Sequence, residues 1–532
     1  MRTQLVMLEP TRGASLLSLR AGAPPLVWAP GSGRGAFAAI GFAGRDDPSQ
    51  SMRSNPSGIG TSFAARVGSE WFGGETLRNH TGRGQSLAPV AVGLGPFGKI
   101  DLLEIEWSDG VFQSEIDLAA RTLHPLVETQ RQISSCPVLF AWNGNSLSFV
   151  SDVLGVGGLG YLLAPGTYSE PRPRETFVLP PDALVARPDG TLSLSLAEPM
   201  EESCMLDAVR LLAVDLPSRW DIAPDERLAI GGPAPTGSIV AWSSEWLPIG
   251  SATLSTADEL AVDPGLADPR FLGMLRKEQV LEVAFEQPID AIADPWLVID
   301  GWVEYPYCQT MFAAWQAGVV YKAPNLEARA PDGSWVEVLP EWGYPAGMPR
   351  RMALPIPREK LPPGATHLRM RTNMELYFDS VRLVAREALP QEPVPCAIRG
   401  ARLASPGFAR RTTGPQKQPF YDRGTMLPLW DCRFQRGLYT EFGDVRELLL
   451  REDGAPVVFG PGEEVAIDFA SPPDAPRPGT TRRYVLDARG WCKDMDLFTR
   501  DGETVDPLPG EPVDAAAAQL LRNTRTRPAG GR

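Results

Sequence analysis

From Asp294 to Val384 the chain runs in short stretches of alternating apolar and polar residues, each closed by a glycine, proline or aspartate turn. Leu326-Glu327-Ala328-Arg329-Ala330 alternates up to Pro331-Asp332-Gly333, and Trp335-Val336-Glu337-Val338 resumes the alternation beyond it. A period of two places successive side chains on opposite faces of a strand, and turns this close together predict antiparallel pairing. The pattern extends beyond this stretch. Leu192-Ser193-Leu194-Ser195-Leu196 alternates strictly, and Val138 to Trp142 and Leu147 to Asp152 read as a hairpin around Asn143-Gly144-Asn145. Dense turns also explain the 52 glycines and 53 prolines among 532 residues. The predicted class is mainly β: several antiparallel sandwiches, one of them a jelly roll, with few short helices.

Two stretches resemble known families. The central one ends in Leu368-Arg369-Met370-Arg371 and Phe378-Asp379-Ser380-Val381 and resembles a galactose-binding-like jelly roll, which implies a rigid sandwich with variable loops. Nearer the start come Ser54-Asn55-Pro56-Ser57-Gly58-Ile59-Gly60-Thr61, Gly93-Leu94-Gly95 and Glu104-Ile105-Glu106-Trp107-Ser108-Asp109-Gly110. Their order resembles the ASPIC/UnbV domain, with Val92 where phenylalanine is usual and Ser108-Asp109-Gly110 in place of Pro-Ser-Gly. This resemblance implies an extracellular or periplasmic protein that follows an FG-GAP propeller in its relatives. Calcium is a cofactor of such propellers, yet no Asp-x-Asp-x-Asp-Gly loop occurs here, so no cofactor is expected.

Length alone calls for about three or four domains. Residues 1–34 are expected to hold two orphan strands, the remnant of a propeller blade whose upstream part is missing. Residues 35–130 are expected to form the ASPIC/UnbV-like domain, 231–275 a linker, 276–386 the jelly roll and 512–532 a disordered tail. The strands of 131–230 and of 387–511 are each too few to close a sandwich. They are therefore expected to combine as the two halves of one domain, with the jelly roll inserted between them.

A net charge of −14 argues against sequence-independent nucleic-acid binding, which depends on Lys and Arg neutralising phosphates. No stretch approaches the roughly 20 apolar residues that span a bilayer. The apolar run at Met1 to Glu9 is too short for a signal peptide. Six cysteines lie far apart with no C-x-x-C pair, which reads as buried thiols rather than a zinc ribbon. His80, His124 and His367 are isolated and read as structural. Gly155-Val156-Gly157-Gly158-Leu159-Gly160 fits G-x-G-x-x-G, but Tyr161 to Gly166 carries no helical period, so a glycine-rich turn is expected rather than a dinucleotide site. The carboxylates Glu441, Asp444, Asp487, Asp494 and Asp496 read as solvated surface.

The aromatic residues of the central stretch carry the strongest binding signal. Trp302, Tyr305, Tyr307, Trp315, Trp342 and Tyr344 crowd turn-rich segments, more than one small core ordinarily takes. Rings left at a loop rim would stack on a sugar or anchor a protein. Trp342, between Glu341 and Gly343, is the best single candidate for such an exposed position. The expected function is a non-catalytic extracytoplasmic binding or scaffolding protein that recognises a protein or glycan. The alternative is a carbohydrate-processing enzyme, or an accessory factor of a biosynthetic pathway.

Overall fold

The computed structural model describes residues 2–44, 56–77, 89–108, 112–128, 136–228, 234–243, 249–254, 266–268, 270–427, 432–474, 476 and 478–530. It is mainly β, with two α-helices among the described residues, Cys308–Gln316 and Ala515–Thr524. The chain divides into two compact units, residues 1–131 with 430–433, and residues 132–429 with 434–532.

The first unit opens with a three-stranded antiparallel sheet, Arg2–Glu9, Gly13–Arg20 and Ala23–Trp28, in which each strand pairs with the next. The third strand corrects the expectation of two orphan strands followed by an irregular connection. Pro24 and Pro25 sit in an edge strand, at the irregularity where the pairing passes from Arg20↔Ala23 to Ser18↔Leu26, a position that tolerates the missing N–H groups. Beyond it, Ala36–Ala43 pairs antiparallel with Val90–Gly95 and parallel with Leu123–Val127. A four-stranded antiparallel sheet, Glu70–Glu75, Ser62–Val67, Lys99–Glu106 and Phe112–Ala119, packs its inner residues against these strands. Ile40, Phe42, Phe63, Ile100, Ile105 and Trp107 fill the space between the sheets. Ser54, Asn55, Asp109 and Gly110 of the quoted motifs, and His80, lie outside the described residues.

The second unit is built on two long strands, Glu202–Pro217 and Thr480–Asp494, paired antiparallel from Glu202↔Asp494 to Pro217↔Thr480. Arg174–Val178, Val394–Cys396 and Val457–Phe459 extend their sheet. A six-stranded sheet faces it, in the order Leu147–Asp152, Val138–Trp142, Thr191–Ala197, Glu464–Ala470, Ile398–Ala404, Gly443–Asp444. Leu194, Leu206, Leu211, Phe459, Ile467 and Leu486 are among the buried side chains between the two sheets. Strands before residue 218 thus share both sheets with strands after residue 393.

Between them lies a second sandwich. Its five-stranded sheet runs Ile249–Leu254, Met274–Phe285, His367–Met374, Asn325–Arg329, Trp335–Leu339, and its three-stranded sheet runs Arg350–Pro355, Pro295–Val303, Leu376–Ala385. Leu281, Leu297, Ile299, Leu326, Met352 and Leu368 are buried between these sheets. Residues 231–275 are more than a linker, because Ile239–Ser243 pairs with Trp220–Pro224 and Ile249–Leu254 joins the five-stranded sheet.

The expected disordered tail also carries structure. Asp514 caps the helix Ala515–Thr524 by accepting the Ala517 N–H at 2.7 Å, and Ala517 is fully buried in the main core. Beyond the helix, Arg527-Pro528 pairs with Leu438-Tyr439, and buried Arg527 meets Glu463 at 2.7 Å.

Candidate functional site: a cavity floored by two thiols and a carboxylate

The strand register around the cavity is the source of its chemistry. In the pair Glu202–Pro217 and Thr480–Asp494, Glu202 stands opposite Asp494 and Cys204 opposite Cys492. Residues two apart on a strand share a face, so both carboxylates and both thiols fall on one side of the sheet. Cys136 lies two residues before the strand Val138–Trp142 of the facing sheet, with φ of 60°, and its backbone N–H donates to Glu202 Oε2 at 3.0 Å. The thiols of Cys136 and Cys492 and a carboxylate oxygen of Glu202 lie within 4.8 Å of one another, all three residues buried.

The glycine motif closes over this floor. Gly155–Gly157 forms a single 3-10 turn rather than the start of a long helix, which leaves no phosphate-binding helix terminus. Gly157 presses so close to the following strand that an added Cβ would lie 2.6 Å from the Gly490 carbonyl oxygen. The Leu159 N–H then donates to the Cys492 carbonyl at 2.7 Å.

Above the floor is a cavity of about 420 Å³. Its apolar wall includes Val156, Leu159, Met200, Leu228, Tyr305 and Tyr307, and its polar residues include Glu202, Asp494, Arg172 and Thr499. Tyr161 also lines it and donates its hydroxyl to the Pro306 carbonyl at 2.7 Å. The Tyr305 hydroxyl is buried with no hydrogen-bond partner. Burial holds that phenol well above its usual range. The Cys136 thiol is pushed up by its hydrogen bond to Cys492 and by burial, and burial raises Cys204 to about 11 and Cys308 to about 12. Burial, then the neighbouring Asp494, raises Glu202.

A charged lock holds the inserted sandwich beside the cavity. Arg350 is buried and donates to Asp152 Oδ1 and to the Asp152 carbonyl at 2.8 Å each, and it also pairs with Glu175. Asp152 accepts the Met348 N–H at 3.0 Å as well.

Of the six aromatic residues singled out from the sequence, Tyr305, Tyr307 and Tyr344 line this cavity. Trp342 is fully buried rather than exposed in a turn; its indole N–H donates to the Asn325 carbonyl at 2.9 Å. Trp302 is also core, stacked on Tyr377 with centroids 5.5 Å apart and bonded to the Gln416 carbonyl at 2.9 Å. Trp315 is 53% exposed on the helix Cys308–Gln316, outside the cavity lining. Among the acidic residues, Asp496 is buried and accepts the Gln309 N–H at 3.1 Å, which corrects its reading as solvated surface. His124 bonds the Ala119 carbonyl and His367 bonds Thr366, each at 2.9 Å.

The sequence reading passed over Cys136, Glu202 and Cys492. A signal did exist, since Glu202-Ser203-Cys204 and Cys492-Lys493-Asp494 are mirror images, each with an acid and a thiol two residues apart on a strand. No family model, curated protein or solved structure matches the chain.

Proposed function

We propose that the second unit is a binding protein for a small, mainly apolar molecule that presents a hydrogen-bond acceptor. The observation that carries this reading is a cavity of about 420 Å³ whose mainly apolar wall carries few polar residues, Arg172 among them. The volume falls within the range of small-molecule sites, and an apolar wall with a few polar groups is their usual make-up. With Trp302 and Trp342 committed to the core, an aromatic rim for glycans keeps only Trp315 of its three indoles. The resemblance of residues 35–130 to the ASPIC/UnbV domain supports a scaffolding role outside the cytoplasm for the first unit. Fractionation of cells that make the natural protein tests that location.

Gly158 offers a direct test of the cavity. It lines the cavity, its φ is −59°, and an added Cβ would meet nothing within 4 Å. Gly158→Leu should therefore fill the space without backbone strain. An environment-sensitive apolar dye should bind the parent protein and lose at least ten-fold in affinity to Gly158→Leu. Equal dye binding by parent and Gly158→Leu would reject the cavity as the site.

A second reading, a hydrolase, draws on Glu202 and Asp494. These carboxylates face each other across the strand pair and both line the cavity. A neutral carboxyl beside a second carboxylate suits general acid–base chemistry. Turnover of a glycoside panel by the parent, abolished in both Glu202→Gln and Asp494→Asn, would support that reading over simple binding.

A further inference from the structure

We propose that Cys136, Cys492 and Glu202 form a binding site for a thiophilic divalent metal ion, of which Zn²⁺ is the best chemical match, with its fourth coordination position open to the cavity. The three donor atoms lie within 4.8 Å of one another. Tetrahedral zinc, with its usual bond lengths to sulfur and oxygen, separates such donors by about 3.6–3.8 Å. Small side-chain rotations would therefore bring them into coordination.

The arrangement has features that buried thiols packed as small apolar groups do not require. A carboxylate shares the same buried point as two sulfurs, and a nearby cation would stabilise all three as anions. Glu202 is held in place by the Cys136 backbone N–H at 3.0 Å, the kind of supporting hydrogen bond that orients a metal ligand. Cys204, cross-strand from Cys492 and outside the donor triangle, is placed to donate its S–H to the Cys492 sulfur once that is a thiolate. Two sulfurs select against Mg²⁺ and Ca²⁺, which take oxygen ligands.

Three protein ligands leave a fourth position, and Cys136, Glu202 and Cys492 all line the cavity. Water, or the acceptor atom of a bound molecule, would complete the tetrahedron. On binding, each thiol and the Glu202 carboxyl give up a proton to solvent, two sulfur–metal bonds and one oxygen–metal bond replace the two S–H bonds and the O–H bond, and Glu202 coordinates as carboxylate. No electron is transferred. Ligand charge of −3 against +2 leaves the centre with a net −1.

The experiment uses the full-length protein, reduced and stripped with a chelator, and titrates it with Co²⁺ as a coloured stand-in for Zn²⁺. The expected result is a thiolate-to-cobalt charge-transfer band and tetrahedral visible bands. These should saturate at one equivalent and disappear when Zn²⁺ is added. Cys136→Ser and Cys492→Ser should abolish the charge-transfer band or cut it sharply, and Glu202→Gln should weaken binding at least ten-fold. Cys432→Ser, outside the cluster, should leave both unchanged. Because a core substitution can unfold the chain, the parent protein supplies a second measurement. Zn²⁺ should slow alkylation of Cys136 and Cys492 at least ten-fold, followed residue by residue by mass spectrometry, with Cys432 unaffected. Absence of the charge-transfer band, its survival in Cys136→Ser, or unchanged alkylation of Cys136 and Cys492 would each overturn the proposal. So would isolation of the protein with Cys136 and Cys492 joined as a disulfide that persists in reductant. Metal bands without dye binding would sink the organic-ligand reading alone, and dye binding without metal bands would sink only this one.

Discussion

At the scale of single residues, burial decides what each aromatic and carboxyl group can do. Trp342 was the natural choice for an exposed ring because glycine and proline surround it, yet its indole is enclosed by the inserted sandwich. Trp342→Ala should therefore lower stability by about 3–5 kcal/mol, read as a fall in the thermal or denaturant midpoint, with no separable effect on ligand binding. Turn composition made the turn legible but could not show which way the side chain faces. Glu304 gives a pH-dependent prediction. Burial raises it to about 7, against a partial offset from Lys417. Its folded-state value is above the unfolded one, so its contribution to stability is complete below about 4.5 and is lost as pH rises through about 7. Glu304→Gln keeps the uncharged form at every pH. Its melting temperature relative to the parent should therefore increase between pH 5 and pH 8, and a constant difference would contradict the shift.

At the scale of elements, buried polar contacts fix how strands and loops meet. The turn Asn143-Gly144-Asn145 behaves as its residues require: Gly144 takes φ of 97°, and Asn143 Oδ1 accepts the Asn145 and Ser146 N–H groups at 3.0 Å each. The Arg350 lock is different, because its partners Asp152 and Glu175 lie nearly two hundred residues away in sequence. Removing one member leaves buried charge uncompensated, so Arg350→Met should cost about 3–5 kcal/mol by denaturant unfolding. Replacing Arg350, Asp152 and Glu175 together by apolar residues of similar size should recover much of that loss. At the C-terminal helix, Asp514→Ala should cost about 1 kcal/mol through loss of its cap, measurable as faster hydrogen exchange at Ala517.

At the scale of the whole molecule, the second unit is a sandwich whose two sheets are assembled from both ends of an insertion. Thr191–Ala197 pairs with Glu464–Ala470, and Glu202–Pro217 pairs with Thr480–Asp494. A chain truncated after residue 390 lacks the later strands, so its flanking part should show no cooperative unfolding. Residues 249–390 alone should unfold in one cooperative transition. Two independent transitions from residues 136–228 and 394–530 expressed apart would contradict the shared sheets. The shortage of strands on either side of the central stretch was the signal in the sequence for such a join. What the sequence determined by itself is local: period-two alternation, turn residues and charge, each set by covalent geometry and by the need to bury one face of a strand. These are enough to specify a mainly-β chain. The cavity was settled only by tertiary structure. Cys136, Glu202 and Cys492 meet through strand register across hundreds of residues, and register is set by which distant strands bury each other's apolar faces.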